Sequence, residues 1–203
     1  AAVLRRHMER YPSGMFRELA ALKLDRLTHV ETPWSWIVTG STANVATRND
    51  QIDGYEQGLK IESRAAGKAA YAEAAALYRK AAERGLPQAM HRLGRLYDLG
   101  LGVDQDKAEA GRLYARAAEL GHPASMAALG AMHEFGEGAA KDLAEALRLY
   151  RLAADAGEPA AMTSLGYLYG LGKGVQRDAR TARQWYQAAA ERGEQRAMFN
   201  LAL

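Results

Sequence analysis

The 203 residues carry 27 Lys and Arg against 24 Asp and Glu, a net charge of +3, and 48% of them are hydrophobic. That fits one or two domains with a real core, and so weak a charge gives no reason to expect nucleic acid as a partner. There is no cysteine, so disulfides, Cys-zinc sites and thiol catalysis are excluded, and no apolar run is long enough to insert in a membrane.

The chain opens Ala1-Ala2-Val3-Leu4, with neither a Met nor a signal peptide, and is expected to be a piece of a longer protein. Leu4, Met8 and Tyr11 share one helical face. Tyr11-Pro12-Ser13-Gly14 reads as a turn, and Phe16, Leu19, Ala20, Lys23, Leu24 and Leu27 as a second amphipathic helix. Residues 1–28 are therefore predicted to form a helical hairpin. Residues 29–66 break all periodicity. Trp34-Ser35-Trp36-Ile37-Val38-Thr39 has strand-like composition, and Gly40-Ser41-Thr42-Ala43-Asn44 is a loop signal. This stretch is expected to be a partly irregular linker, most mobile over 40–50 and open to trypsin at Arg48.

From residue 67 to 203 the chain repeats every 36 residues. Gly85, Gly121, Gly157 and Gly193 set the register, and Tyr78, Tyr114, Tyr150 and Tyr186 follow it. So do Met90, Met126, Met162 and Met198, and Leu93, Leu129, Leu165 and Leu201. Each unit reads as two helices. Pro87, Pro123 and Pro159 suit a first turn. Met90, Leu93, Gly94 and Tyr97 fall at helical spacing. The Gly-x-Gly pairs (100/102, 136/138, 172/174) end the first helix with a left-handed cap. Asp106, Asp142 and Asp178 open the second helix. Asp106 and Asp142 have Glu three residues on, which predicts a capping box, and Thr181 weakens the third copy. The first unit is expected to keep only its second helix, the last a short first helix, with more repeats following in the parent.

This pattern, Ala-x-x-x-Leu-Gly-x-x-Tyr-x-x-Gly-x-Gly-Val, then Asp, Ala, Tyr and Ala-Ala-x-x-Gly, fits residues 89–121 and resembles the Sel-1-like repeat, a longer cousin of the tetratricopeptide repeat. His133 in place of the first-helix Tyr, and Ala139 in place of Val, are the departures. The resemblance implies an all-α fold: a right-handed superhelical solenoid of antiparallel helix pairs, about three and a half units long. The helix, Tyr-Pro-x-Gly turn and Phe-x-x-Leu-Ala helix at the N-terminus resemble the hairpin that follows caspase-like peptidase domains in some bacterial multidomain proteins. Any tetratricopeptide-like helical pair reads the same way.

Chemistry is nearly absent from the sequence. His7, His29, His91, His122 and His133 pair with nothing at metal spacing. Gly170-Leu171-Gly172-Lys173-Gly174 lacks the Ser or Thr of a phosphate loop and follows a helix. No cofactor and no catalytic group are expected in this chain. The expected function is a non-catalytic protein–protein interaction scaffold that binds a protein or peptide, or another domain of its own parent, on a concave face. The alternative is a regulatory or substrate-recruiting region of a larger enzyme such as a caspase-like peptidase. Bacterial cytoplasm and periplasm are both compatible with the chain. In tetratricopeptide-like units the first helices line the groove. The resemblance therefore implies a groove of His91, Arg95 and Asp98, then Ala127, Ala131 and Glu134, then Thr163 and Tyr167, then Phe199.

Overall fold

A computed structural model describes residues 42–65 and 67–201, with side chains from Asp53 onward. Two compact units, Ala1–Thr47 and Arg48–Leu203, divide the chain, and the second holds the repeats. The expected hairpin at 1–28 and the strand-like stretch at 34–39 lie outside the described residues. In chain order the helices are α1 (Thr42–Ser63), α2 (Lys68–Glu83), α3 (Pro87–Leu99), α4 (Lys107–Glu119), α5 (Pro123–Phe135), α6 (Leu143–Asp155), α7 (Pro159–Leu171), α8 (Ala179–Ala190) and α9 (Gln195–Leu201). No strand occurs among the described residues.

The linker expectation needs correction from Thr42 onward, where α1 is helical over 22 residues. It supplies the first helix that the first unit was expected to lack. Tyr55, Leu59 and Ile61 pack against the core of the next helices. Gly58 meets the ring of Tyr78, as Gly94, Gly130 and Gly166 meet Tyr114, Tyr150 and Tyr186. The pattern is hidden because Asp53, Gln57 and Lys60 stand where the following unit has Ala89, Leu93 and Leu96.

Each pair is built by the same local devices. Gly136, at φ 76°, closes α5 in the left-handed conformation, and Glu137 N–H donates to the Met132 carbonyl at 3.1 Å. The chain then crosses to an Asp that caps the second helix: Asp142 accepts from Ala144 N and Glu145 N at 2.9 and 3.0 Å. The expected capping box is only half formed. Glu109 and Glu145 turn outward to Arg112 and Arg148, because the N–H groups of Asp106 and Asp142 already donate to the Tyr97 and His133 carbonyls.

The core lies between the two layers of helices. Tyr78, Tyr114 and Tyr150 are buried, each laid flat on the glycine of the preceding helix. A methyl group on Gly130 would stand 2.9 Å from the Tyr150 ring, so only glycine lets the helices close to this distance. At two junctions the units meet backbone to backbone, at Gly102 against Tyr71–Ala72 and at Gly138, whereas Gly174 meets the side chains of Leu143 and Leu147. Gly138 lies on the Lys107 carbonyl of the preceding unit, and Lys107 pairs with Glu137 across the same junction. Met198, in register with the buried Met90 and Met162, is exposed.

Candidate protein-interaction groove

The first helices of the units, α3, α5, α7 and α9, form one layer, and α5 touches α7 directly. Their composition is unlike that of the second helices. α7 has no charged residue, and α5 has only Glu134 besides His133. A cavity of about 620 Å³ opens across α5, α7 and α9, lined by Ala131, Glu134, Phe135, Thr163, Tyr167 and Phe199 with neighbouring polar groups.

Its floor is polar and internally satisfied. Glu134 is 3% exposed. The Tyr150 hydroxyl donates to its Oε2 at 2.9 Å, and Lys173 Nζ donates to its Oε1 at 2.9 Å. Burial, and then the negative charge of Glu134, push the Tyr150 hydroxyl well above its ordinary pKa. Lys173 also stands 5.3 Å from the centre of the Phe135 ring. The rim is apolar and open: Phe135, Tyr167 and Phe199 are 61%, 46% and 67% exposed. Rings on a monomer surface in such number mark a contact site more often than chance exposure.

Five of the nine residues expected to line a groove therefore meet in one place: Ala131, Glu134, Thr163, Tyr167 and Phe199. Glu134 serves as floor rather than as an open charge, and the Thr163 hydroxyl donates to the Pro159 carbonyl at 3.1 Å. The other four lie elsewhere. Ala127 is buried in the core, because its small side chain sits where the helices approach. Arg95 is exposed on α3 and Asp98 is half-buried beside it, outside the cavity. His91 is packed between the Tyr114 and His122 rings, with centroids at 5.4 and 5.1 Å. Its Nδ1 lies 3.1 Å from the Ser125 hydroxyl, which is also 3.0 Å from His122 Nδ1. Burial, with the charges of His122, Arg95 and Arg92, pushes the His91 imidazole down to about 3. His91 thus takes part in a joint between units.

Sequence reasoning missed one feature. Leu99, Phe135 and Leu171 stand 36 residues apart, each the last residue of its helix, and all three are between 55% and 61% exposed. The signal was an apolar residue immediately before the capping glycine in three successive units, at an exposed position of each first helix.

The departure at His133 coincides with a change of partner. Arg79 reaches Tyr97 across one junction at 3.0 Å and Arg151 reaches Tyr169 across another at 2.9 Å. At the junction between them the Arg position is Ala115, and His133 instead lies 2.8 Å from the Ala140 carbonyl.

Among the described residues no group of His, Cys, Asp and Glu is arranged to hold a metal, and no helix is long and apolar enough to cross a membrane. No curated protein matches the chain. The Sel1 repeat family matches at residues 54–86, 87–122, 123–158 and 159–194, so the first matched unit begins inside α1. The fold is similar to that of a protective antigen of uropathogenic Escherichia coli displaying an SLR fold. That likeness has a TM-score of 0.67 and 34% identity, over 77% of this chain and 34% of the antigen. It is also similar to a Sel1 repeat protein from Oxalobacter formigenes, at TM-score 0.66 and 35% identity, over 72% of this chain and 58% of that one. The chain thus spans about a third and somewhat over half the length of these relatives. With four matched units in one unbroken register, each seating a tyrosine on a glycine, the chain belongs to the Sel1 repeat family.

Proposed function

We propose that the chain is a protein–protein interaction scaffold whose partner lies in the groove across α5, α7 and α9. The observation that carries this reading is three exposed aromatic rings around a polar floor whose hydrogen bonds are already satisfied. Such a floor does no chemistry and asks nothing of a ligand, whereas the rim offers apolar area of the kind that anchors an interface. Small residues such as Ala131 leave room for a partner's side chains.

A photo-crosslinking amino acid placed at Tyr167 or Phe199, with Gln187 on α8 as the outer-face control, tests it in cells expressing the protein. Adducts with a protein are expected from the groove positions and should vanish in an Ala131→Arg background with an unchanged melting temperature. Adducts from Gln187 alone would move the site to the outer face.

A further inference from the structure

The polar groups lining the cavity across α5, α7 and α9 fall into two sets. One set is occupied within the chain. Glu134 is held by Lys173 and the Tyr150 hydroxyl. Thr163 donates to the Pro159 carbonyl, and Ser164 and Asn200 lie against the Tyr150 and Tyr186 hydroxyls. The other set is open. Gln195 and Arg196, adjacent on α9, line the same cavity. Both are exposed, and neither side chain has a hydrogen bond or an ion pair among the described residues.

Of the two formal charges in the lining, Glu134 and Arg196, only Arg196 has no opposite partner. Glu158 and Glu194 are acidic residues close in sequence to this wall. They act as caps of α7 and α9, accepting from the Ala160 and Arg196 N–H groups, and neither belongs to the lining. The uncompensated charge of the cavity is therefore positive, which favours an anion and opposes a cation. A guanidinium with a neighbouring amide suits a carboxylate, which accepts from both. The Phe135, Tyr167 and Phe199 rings on the same lining add an apolar requirement.

We propose that the cavity takes the C-terminal residue of a partner protein. Its carboxylate meets Arg196 and Gln195, and its apolar side chain lies among Phe135, Tyr167 and Phe199. A cavity of about 620 Å³ has the size of clefts that enclose one compact group, whereas a whole interface between folded proteins is far larger. A last residue carries its carboxylate and its side chain on one Cα, so a single residue meets both features of the lining. An internal Asp or Glu uses its side chain on the arginine and needs a neighbour to reach the rings. This rests on the groove being the binding face.

A random peptide library displayed with free C-termini and panned on the whole chain tests it. Peptides with an apolar last residue are expected to be enriched. The most enriched sequence is then synthesised twice with an N-terminal fluorescein, once as the free acid and once as the C-terminal amide, and its binding is read by anisotropy. The acid should bind at least about tenfold more tightly, the effect of removing one partner of a charged hydrogen bond. In Arg196→Gln the acid should weaken to the level of the amide, and in Phe199→Ala both forms should weaken. Melting temperatures should not change, because both side chains are exposed. Equal binding of acid and amide, a preference for the acid that survives Arg196→Gln, or no enriched peptide would overturn the proposal. Should the peptides fail while crosslinks from Tyr167 and Phe199 still form, the groove stands and only the C-terminal chemistry falls.

Discussion

Acidification should loosen the joint between the second and third helix pairs, and His91 is where it should act. The imidazole is held between Tyr114 and His122, with Arg92 and Arg95 on its own helix opposing a positive charge. Ser125 N–H donates to His122 Nδ1 at 3.2 Å, so that nitrogen carries no proton. The single lone pair of His122 Nδ1 is taken by that N–H, which leaves the Ser125 hydroxyl to donate to His91 Nδ1 at 3.1 Å. A proton added to His122 would set donor against donor. Both imidazoles are depressed, His91 to about 3 from an ordinary 6.5, by burial first. A folded-state pKa below the unfolded one means that the unfolded chain binds more protons. The stability held by the neutral rings is therefore complete above pH 6.5 and is lost as pH falls toward 3. Between pH 7.5 and 5 the His91 contribution is about 1.5 pKa units, or about 2 kcal/mol. In a chain of this length that lowers the melting temperature by about 4–8 °C. Melting curves by far-UV circular dichroism at the two pH values, on the wild type and on His91→Phe, isolate the effect. The phenyl ring keeps the aromatic contacts and cannot titrate. Carboxylates such as Glu158, which burial raises and which acts in the opposite direction, are common to both proteins and cancel. His91→Phe should start less stable by about 1 kcal/mol, from the lost bond to Ser125, and should show most of the pH-dependent drop removed. An equal drop in both proteins would refute the reasoning.

Lys173→Met should destabilise by about 3–5 kcal/mol in urea unfolding, because it leaves the buried Glu134 carboxylate without its cation, and adding Glu134→Gln should restore much of the loss. Tyr150→Phe should cost about 1–3 kcal/mol through the unsatisfied Glu134 oxygen, and Tyr150→Ala about 3–5 kcal/mol through the cavity, both read as shifts in urea midpoint. Gly130→Ala gains about 1 kcal/mol of helix propensity but crowds a buried ring at 2.9 Å, where overpacking costs about 1–3 kcal/mol. The net should be a lowered melting temperature, relieved when Tyr150 is replaced by Leu.

The repeat region was legible because its packing is made by residues of unmistakable size at fixed spacing. A tyrosine needs a glycine 20 residues upstream, and a turn with positive φ needs glycine at the same place each time. α1 was not legible from the apolar pattern, since Asp53, Gln57 and Lys60 occupy positions that face the core in the next unit. Gly58, 36 residues before Gly94, was the surviving mark. The groove was half legible. Counting back from the core face placed Ala131, Tyr167 and Phe199 on the open side of their helices. The same offsets gave Ala127 and His91, whose burial depends on how closely the neighbouring unit approaches, and no single unit's pattern records that distance.

The junctions hold register through glycine on backbone, at Gly102 and Gly138, and through charged pairs, Lys107 with Glu137 and Lys173 with the Glu134 of the groove floor, while the exposed rim residues Tyr167 and Phe199 enter neither. The point between Gly121 and His122 therefore behaves as a splice site. Another unit of 36 residues inserted there would find the same backbone on either side and would add one rung to the surface it carries. Length and recognition can then change by duplication followed by drift of the open face, at positions where a substitution such as Thr163 to the Phe199 of the next copy leaves the core untouched.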